Sequence, residues 1–105
     1  MNSNNLTINV EKAGGTTIKL TAKGQINSET AELLKKKLDY AIDNKNNYII
    51  INMNGVSFLS SGGIRIILMY YKKMKSLRGK LFIQAPSESV KNVLGMVALN
   101  EMLYN

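Results

Sequence analysis

Apolar and polar positions alternate over Leu6-Thr7-Ile8-Asn9-Val10 and again over Thr17-Ile18-Lys19-Leu20-Thr21-Ala22. With Gly14-Gly15 between them, this period of two predicts a β-hairpin. At Gly24-Gln25-Ile26-Asn27-Ser28 the period changes. Asn27 or Ser28 is placed to cap a helix, and Ala31, Leu34, Leu38, Ala41 and Ile42 then fall on one helical face. The polar cluster Asp43-Asn44-Lys45-Asn46-Asn47 suits a turn. Tyr48-Ile49-Ile50-Ile51-Asn52-Met53 is a nearly continuous apolar run, which predicts a central strand covered on both faces. After Asn54 to Leu59, Ser60-Ser61-Gly62-Gly63 opens a second helix with a core stripe of Ile64, Ile67, Leu68, Tyr71 and Met74, ended by Ser76-Leu77-Arg78-Gly79. Lys80-Leu81-Phe82-Ile83-Gln84-Ala85 is a further strand, stopped by Pro86. Ser87 is placed to cap a third helix that buries Val90, Val93, Leu94 and Val97, with Leu99, Met102 and Leu103 packing the end. The order β-β-α-β-α-β-α predicts an α/β fold: a mixed sheet of four to five strands, an opening hairpin and three helices, the later strands being parallel neighbours joined by crossovers.

A chain of 105 residues, 45% of them apolar, suffices for one hydrophobic core and predicts a single domain over residues 1–105. No apolar run approaches the roughly 20 residues of a membrane span, and Met1 to Asn5 lack a basic segment leading into an apolar one. A cytoplasmic location with no membrane partner is the expectation. The chain has no cysteine and no histidine, which excludes disulfides, thiolate nucleophiles, zinc clusters and histidine triads. The acids Glu11, Glu29, Glu32, Asp39, Asp43, Glu88 and Glu101 form no pair suited to acid–base work. A non-catalytic protein without cofactor or metal is therefore expected.

The net charge of +7 raises a polyanion partner, through Lys35-Lys36-Lys37 and through Lys72, Lys73, Lys75, Arg78 and Lys80. The favoured account is that these lysines decorate solvent faces of amphipathic helices. No aromatic residues interleave with them as stacking on single strands requires, so no direct nucleic-acid contact is expected.

Val56 to Leu68, VSFLSSGGIRIIL, carries the candidate chemistry. Glycine inside a helix costs about 0.8–1.0 kcal/mol relative to alanine, so two together call for a reason. One reason is that Gly62 and Gly63 leave the free N–H groups of the first turn open to a phosphate or a partner's backbone. Ser61, Arg65, Met69 and Lys72 fall on one face, away from the expected core stripe, which exposes the serine. A phosphoryl group there would add about −1.5 to −2 charges at the positive end of the helix, with Arg65 one turn away. The residues alone also allow Ser60 or Ser61 to be no more than an N-cap. A nucleotide-hydrolase phosphate loop is excluded, because its Gly-Lys-Ser/Thr ending is missing.

These residues resemble the STAS family, the sulfate-transporter and anti-sigma-factor-antagonist domain. Gly24-Gln25-Ile26-Asn27 is similar to the family's Gly-x-Ile/Leu-Asp opening of the first helix. Val56 to Ile64 resembles its Val-x-Phe-Ile-Asp-Ser-Ser-Gly-Leu signature, and Ser60 to Arg65 a Ser-Ser-Ala-Gly-Leu-Arg version of it. Arg78-Gly79-Lys80-Leu81 and Pro86 to Leu94 match the later strand entry and helix, so the likeness covers about residues 5 to 104 in order. Ser60 and Asn27 stand where the family usually has aspartates. The resemblance implies the STAS fold and an anti-sigma factor antagonist. Ser61 would be the phosphoacceptor, and Asn27, Ser60, Ser61, Gly62, Gly63, Arg65 and Met69 the partner-binding residues. The implied partner is an anti-sigma factor that is also a serine protein kinase, with room for a PP2C-type phosphatase and a homodimer. A scaffold or adaptor subunit of a transporter or sensing complex, never phosphorylated, is the alternative. The family usually adds a last helix near where Asn105 stands, and its absence would leave apolar surface near Leu99 to Tyr104 that is either dimer-forming or simply truncated.

Overall fold

The two alternating segments pair as their pattern predicts. Strand β1 (Leu6–Lys12) runs antiparallel to β2 (Thr17–Ile26), with Leu6 opposite Gly24 and Lys12 opposite Ile18. The structure, a computed structural model, describes residues 5–103 and, within that range, the side chains of all but residues 96–100. Helix α1 (Ala31–Asp43) carries the chain across to β3 (Tyr48–Leu59), which lies parallel to β2. Helix α2 (Ser61–Ser76) then leads to β4 (Lys80–Gln84), parallel to β3, and α3 (Glu88–Met102) follows. The result is a four-stranded mixed sheet of order β1-β2-β3-β4, in which parallel neighbours are joined by the helical crossovers that such pairs require.

One core cluster holds the fold together and draws on every element. Ile18 and Leu20 of β2, Ile49, Ile51 and Met53 of β3, and Leu81 and Ile83 of β4 meet Leu34 and Leu38 of α1, Ile67 and Met74 of α2, and Val90 of α3. The apolar run in β3 does not mark a strand covered by helices on both faces, as its continuity suggested. Ile50 stands outside the core cluster and faces the other way, yet it is only 5% exposed. It lies between its cross-strand partners Lys19 and Phe82. Around it Tyr48 stacks on Phe82 with ring centroids 6.4 Å apart, Lys80 sits over the Phe82 ring, and Asn52 Nδ2 donates to Gln84 Oε1 at 3.2 Å. Cross-strand side-chain pairs thus close this face where no helix of the core cluster does.

Two helical stripes also differ from the pattern reading. In α2 the buried positions are Gly63, Ile67, Tyr70 and Met74, so Tyr70 takes the place expected for Tyr71, while Ile64 and Leu68 are only half-buried. In α3 Val90 is buried but Val93 is 42% exposed, and Gly95 (φ 80°, ψ 165°) then breaks the helix. The side chains of Val97 and Leu99, and Tyr104 altogether, lie outside the described residues. Met102 is 1% exposed and Leu103 forms a parallel bridge to Ile83. The C-terminal apolar residues that are described are therefore folded back onto the sheet and not left as an open patch.

Helices α1 and α2 are locked to each other by one polar contact, in which the Tyr70 hydroxyl donates to Asp39 Oδ1 at 2.5 Å. Burial of the ring, reinforced by this bond, pushes the Tyr70 hydroxyl well above its ordinary value of 10.0. Tyr70→Phe is expected to lower stability by about 1–2 kcal/mol, measured by urea unfolding. The folded state holds this proton after the unfolded chain has released it. The contribution is therefore fully present below pH 10 and is lost progressively as pH rises above it. Tyr70→Phe should accordingly flatten the alkaline limb of the stability profile.

Candidate functional site

Strands β2 and β3 end side by side, Ile26 opposite Leu59, and the Ser60 N–H donates to the Ile26 carbonyl at 2.8 Å. Both helices that follow these strands therefore start at the same rim of the sheet. At the first, Asn27 Oδ1 accepts from the N–H groups of Glu29 and Thr30, 2.9 Å each, and its carbonyl accepts from Ala31 N at 2.8 Å. Thr30 Oγ1 accepts from Asn27 N and donates to the Gln25 carbonyl. Of the two candidate caps, Asn27 holds the opening of α1 and Ser28 is left exposed.

At the second start, Ser60 has extended backbone (φ −84°, ψ 169°), and its Oγ accepts from Gly63 N at 3.1 Å. Ser60 is the N-cap. Ser61 is the first helical residue, exposed, with no hydrogen bond to its hydroxyl among the described residues. Ser60→Ala is expected to lower stability by about 1 kcal/mol in urea unfolding while leaving Ser61 where it is.

The two glycines have a different task from the one their position suggested. A Cβ on Gly63 would lie 2.7 Å from Ile26 Cγ2 and 2.9 Å from Leu59 Cδ1, and one on Gly62 would lie 3.1 Å from Ser28 Cβ. They let the start of α2 press onto the strand ends and the opening turn of α1. The Gly63 N–H is taken by Ser60 Oγ, so of the two glycine donors this one is not open to a phosphate. The close approach brings Asn27, Ser60, Ser61, Gly62 and Gly63 into one cluster.

Arg65 and Met69 continue from that cluster along α2. Together with Ser61, Ile64, Leu68 and Lys72 they line a shallow groove of about 540 Å³. Its apolar members are Ile64, Leu68 and Met69, the last 46% exposed, and its charges are the cations Arg65 and Lys72. Neither cation has an ion-pair partner among the described residues. Ile64 and Leu68 pack against the core with part of their surface, as the stripe counted from Ile64 expects, and line this groove with the rest. Counting Gly63 as an inward position gives the spacing 63, 67, 70, 74 and turns Ile64 and Leu68 toward this groove. No helix among the described residues is long and apolar enough to cross a membrane.

The sequence pattern of the STAS domain matches residues 7–104. An anti-sigma F factor antagonist of Paenibacillus polymyxa is 24% identical over 100 residues, which cover 94% of this chain and 85% of that protein. BtrV of Bordetella bronchiseptica is 25% identical over 71 residues, 68% of this chain; the match spans 61% of BtrV, under two thirds of its length. Among solved structures, the anti-sigma factor antagonist SpoIIAA in its unphosphorylated form has a TM-score of 0.79 at 21% identity, covering 93% of this chain and 86% of that one. The phosphorylated form of SpoIIAA, described as a Bacillus cell fate determinant, gives 0.77 at 19% identity over 93% and 89%. At these identities the structural likeness establishes a shared fold.

Proposed function

Because the chain belongs to the STAS domain family, we propose that it is an anti-sigma factor antagonist whose binding surface is the Ser61 end of α2 and the groove beside it. One observation carries this reading: two adjacent serines divide the labour at a helix start, Ser60 capping and Ser61 standing exposed with its hydroxyl uncommitted. The similar proteins named as antagonists, one of them solved in phosphorylated and unphosphorylated forms, support it.

In the unphosphorylated state the apolar strip of Ile64, Leu68 and Met69, flanked by Arg65 and Lys72, takes a partner face of apolar and acidic residues. The partner is an anti-sigma factor with serine kinase activity, and the kinase transfers a phosphoryl group to Ser61 Oγ. The phosphate then sits at the positive helix end, competes for Arg65, and sets two negative charges against the partner's acids. Binding is lost while the fold is kept.

Intact-mass analysis before and after incubation with ATP and the cognate kinase tests the proposal. A single phosphate addition, absent in Ser61→Ala, is the expected result. Labelling that persists in that variant removes Ser61 from the role, and a stable stoichiometric complex indifferent to phosphatase overturns the switch in favour of a constitutive scaffold.

A further inference from the structure

Strand β3 does not run regularly to the Ser60 cap. From Asn52 to Gly55 it advances three residues while β2 advances two, from Thr21 to Lys23, so a bulge falls at Met53 and Asn54. The pairing with β4 has already ended, at Asn52 opposite Gln84, which leaves this stretch laddered on its β2 side. Met53 turns into the core, and Asn54 and Gly55 both stand exposed.

Asn54 and Gly55 form the one Asn-Gly pair of the chain. The Asn54 N–H donates to Asn52 Oδ1 at 3.0 Å, but the Asn54 side-chain amide has no hydrogen-bond partner among the described residues. Other asparagines are held back in one of two ways. Asn27 caps α1, Asn44 Nδ2 donates to the Tyr40 carbonyl, and Asn46 and Asn52 are bonded through both amide atoms. Asn5, Asn9, Asn47 and Asn92 are exposed, but each precedes a bulky side chain that crowds the next backbone nitrogen. At position 55 glycine is set by packing, since a Cβ there would lie 2.8 Å from Lys23 Cγ and 3.3 Å from the Ala22 carbonyl oxygen. The same missing side chain leaves the Gly55 nitrogen open to its neighbour.

We propose that Asn54 is a site of spontaneous covalent modification. The Gly55 nitrogen, on losing its proton to hydroxide, attacks Asn54 Cγ. A new N–C bond closes a cyclic succinimide, and the Cγ–Nδ2 bond breaks as ammonia leaves with a proton from water. Solvent water then opens the ring. Cleavage of the new bond gives aspartate, whereas cleavage at the α-carbonyl gives isoaspartate, in which the main chain passes through Cβ and Cγ and is longer by a carbon. Either product gains a negative charge. The extra carbon would fall just before Val56, whose carbonyl accepts from Ser87 Oγ at 2.6 Å at the opening of α3. Isoaspartate therefore disturbs the strand that carries both this contact and the Ser60 cap.

The full chain, incubated in mildly alkaline buffer, is mapped by peptide mass spectrometry with electron-transfer fragmentation, which tells isoaspartate from aspartate. The NH2-to-OH mass change is expected to accumulate at Asn54 about tenfold faster than at any other asparagine within residues 5–103, faster at higher pH, with isoaspartate the major product. Asn54→Gln, which would need a larger ring, should show no gain there at an unchanged melting temperature. The isoaspartyl fraction, separated by ion exchange, should have a lower urea midpoint than Asn54→Asp, which carries the same charge on a chain of normal length. Modification that appears at Asn54 only after urea has unfolded the chain, or that spreads evenly over the asparagines, would overturn the site. Equal midpoints for the isoaspartyl fraction and Asn54→Asp would overturn its effect on β3.

Discussion

Ser61→Asp is expected to fold as the parent does and to lose about two orders of magnitude in affinity for the anti-sigma factor, equivalent to about 3 kcal/mol. The fold is spared because Ser61 contributes no cap and no buried contact, and because a carboxylate in the first turn of a helix is favoured by the helix dipole by about 0.3–1 kcal/mol. Helix α2 has no acid of its own in that turn. Affinity falls because the new charge claims Arg65 and faces the partner's acids across a desolvated contact. Ser61→Ala, which changes the size and polarity of the site but not its charge, should bind nearly as the parent. Calorimetric titration of the three proteins against the same partner separates the cases. Equal affinities for parent and Ser61→Asp would mean that the interface lies elsewhere.

Gly24→Ala is expected to be strongly damaging, lowering stability by about 3 kcal/mol or more. Gly24 has φ +118°, and a Cβ there would lie 2.2 Å from the backbone oxygen of Asn5, an atom that accepts a hydrogen bond from Gln25 N. Backbone cannot swing aside as a side chain would, so the end of β1 must part from β2. Gly14→Ala provides the contrast. Its φ is +97° but nothing lies within 4 Å of the added carbon, so only conformational strain remains, about 1 kcal/mol. Urea midpoints for both variants read the difference directly. Because β2 delivers Asn27 and Ile26 to the Ser61 rim, Gly24→Ala should also weaken partner binding, which Gly14→Ala should not.

The architecture was legible where one side of an element meets one kind of environment. The hairpin, α1 with Ala31, Leu34, Leu38 and Ala41, and the caps at Asn27 and Ser87 follow from local pattern alone; Ser87 Oγ accepts from Val90 N and also donates to the Val56 carbonyl. Legibility failed where tertiary contacts set the phase. Tyr70 and Tyr71 are interchangeable to a periodicity count, and only the Asp39 acceptor on α1 decides that Tyr70 goes inward. Ile50 looks like core to any hydropathy reading, since burial by Lys19 and Phe82 across two strand pairings leaves no mark on its own neighbours in sequence. Lys73 lies over the Tyr70 ring and Lys75 over the Tyr71 ring, each about one helical turn away, local pairings that set the lysines' placement on α2. At the Ser61 rim the exposed serine was readable from helical phase, whereas the reason for two glycines was not, because it resides largely in Ile26 and Ser28, far from them in the chain.

The bridge from Leu103 to Ile83 bears on how copies of this protein can meet. A ladder grows only where consecutive backbone donors and acceptors are vacant, and any guest strand laid along β4 would first have to evict Leu103. β1 is the flank on which a foreign strand could dock without that displacement. Among the described residues, a second copy therefore meets less obstruction rim to rim at β1 than at the Ile83 position of β4.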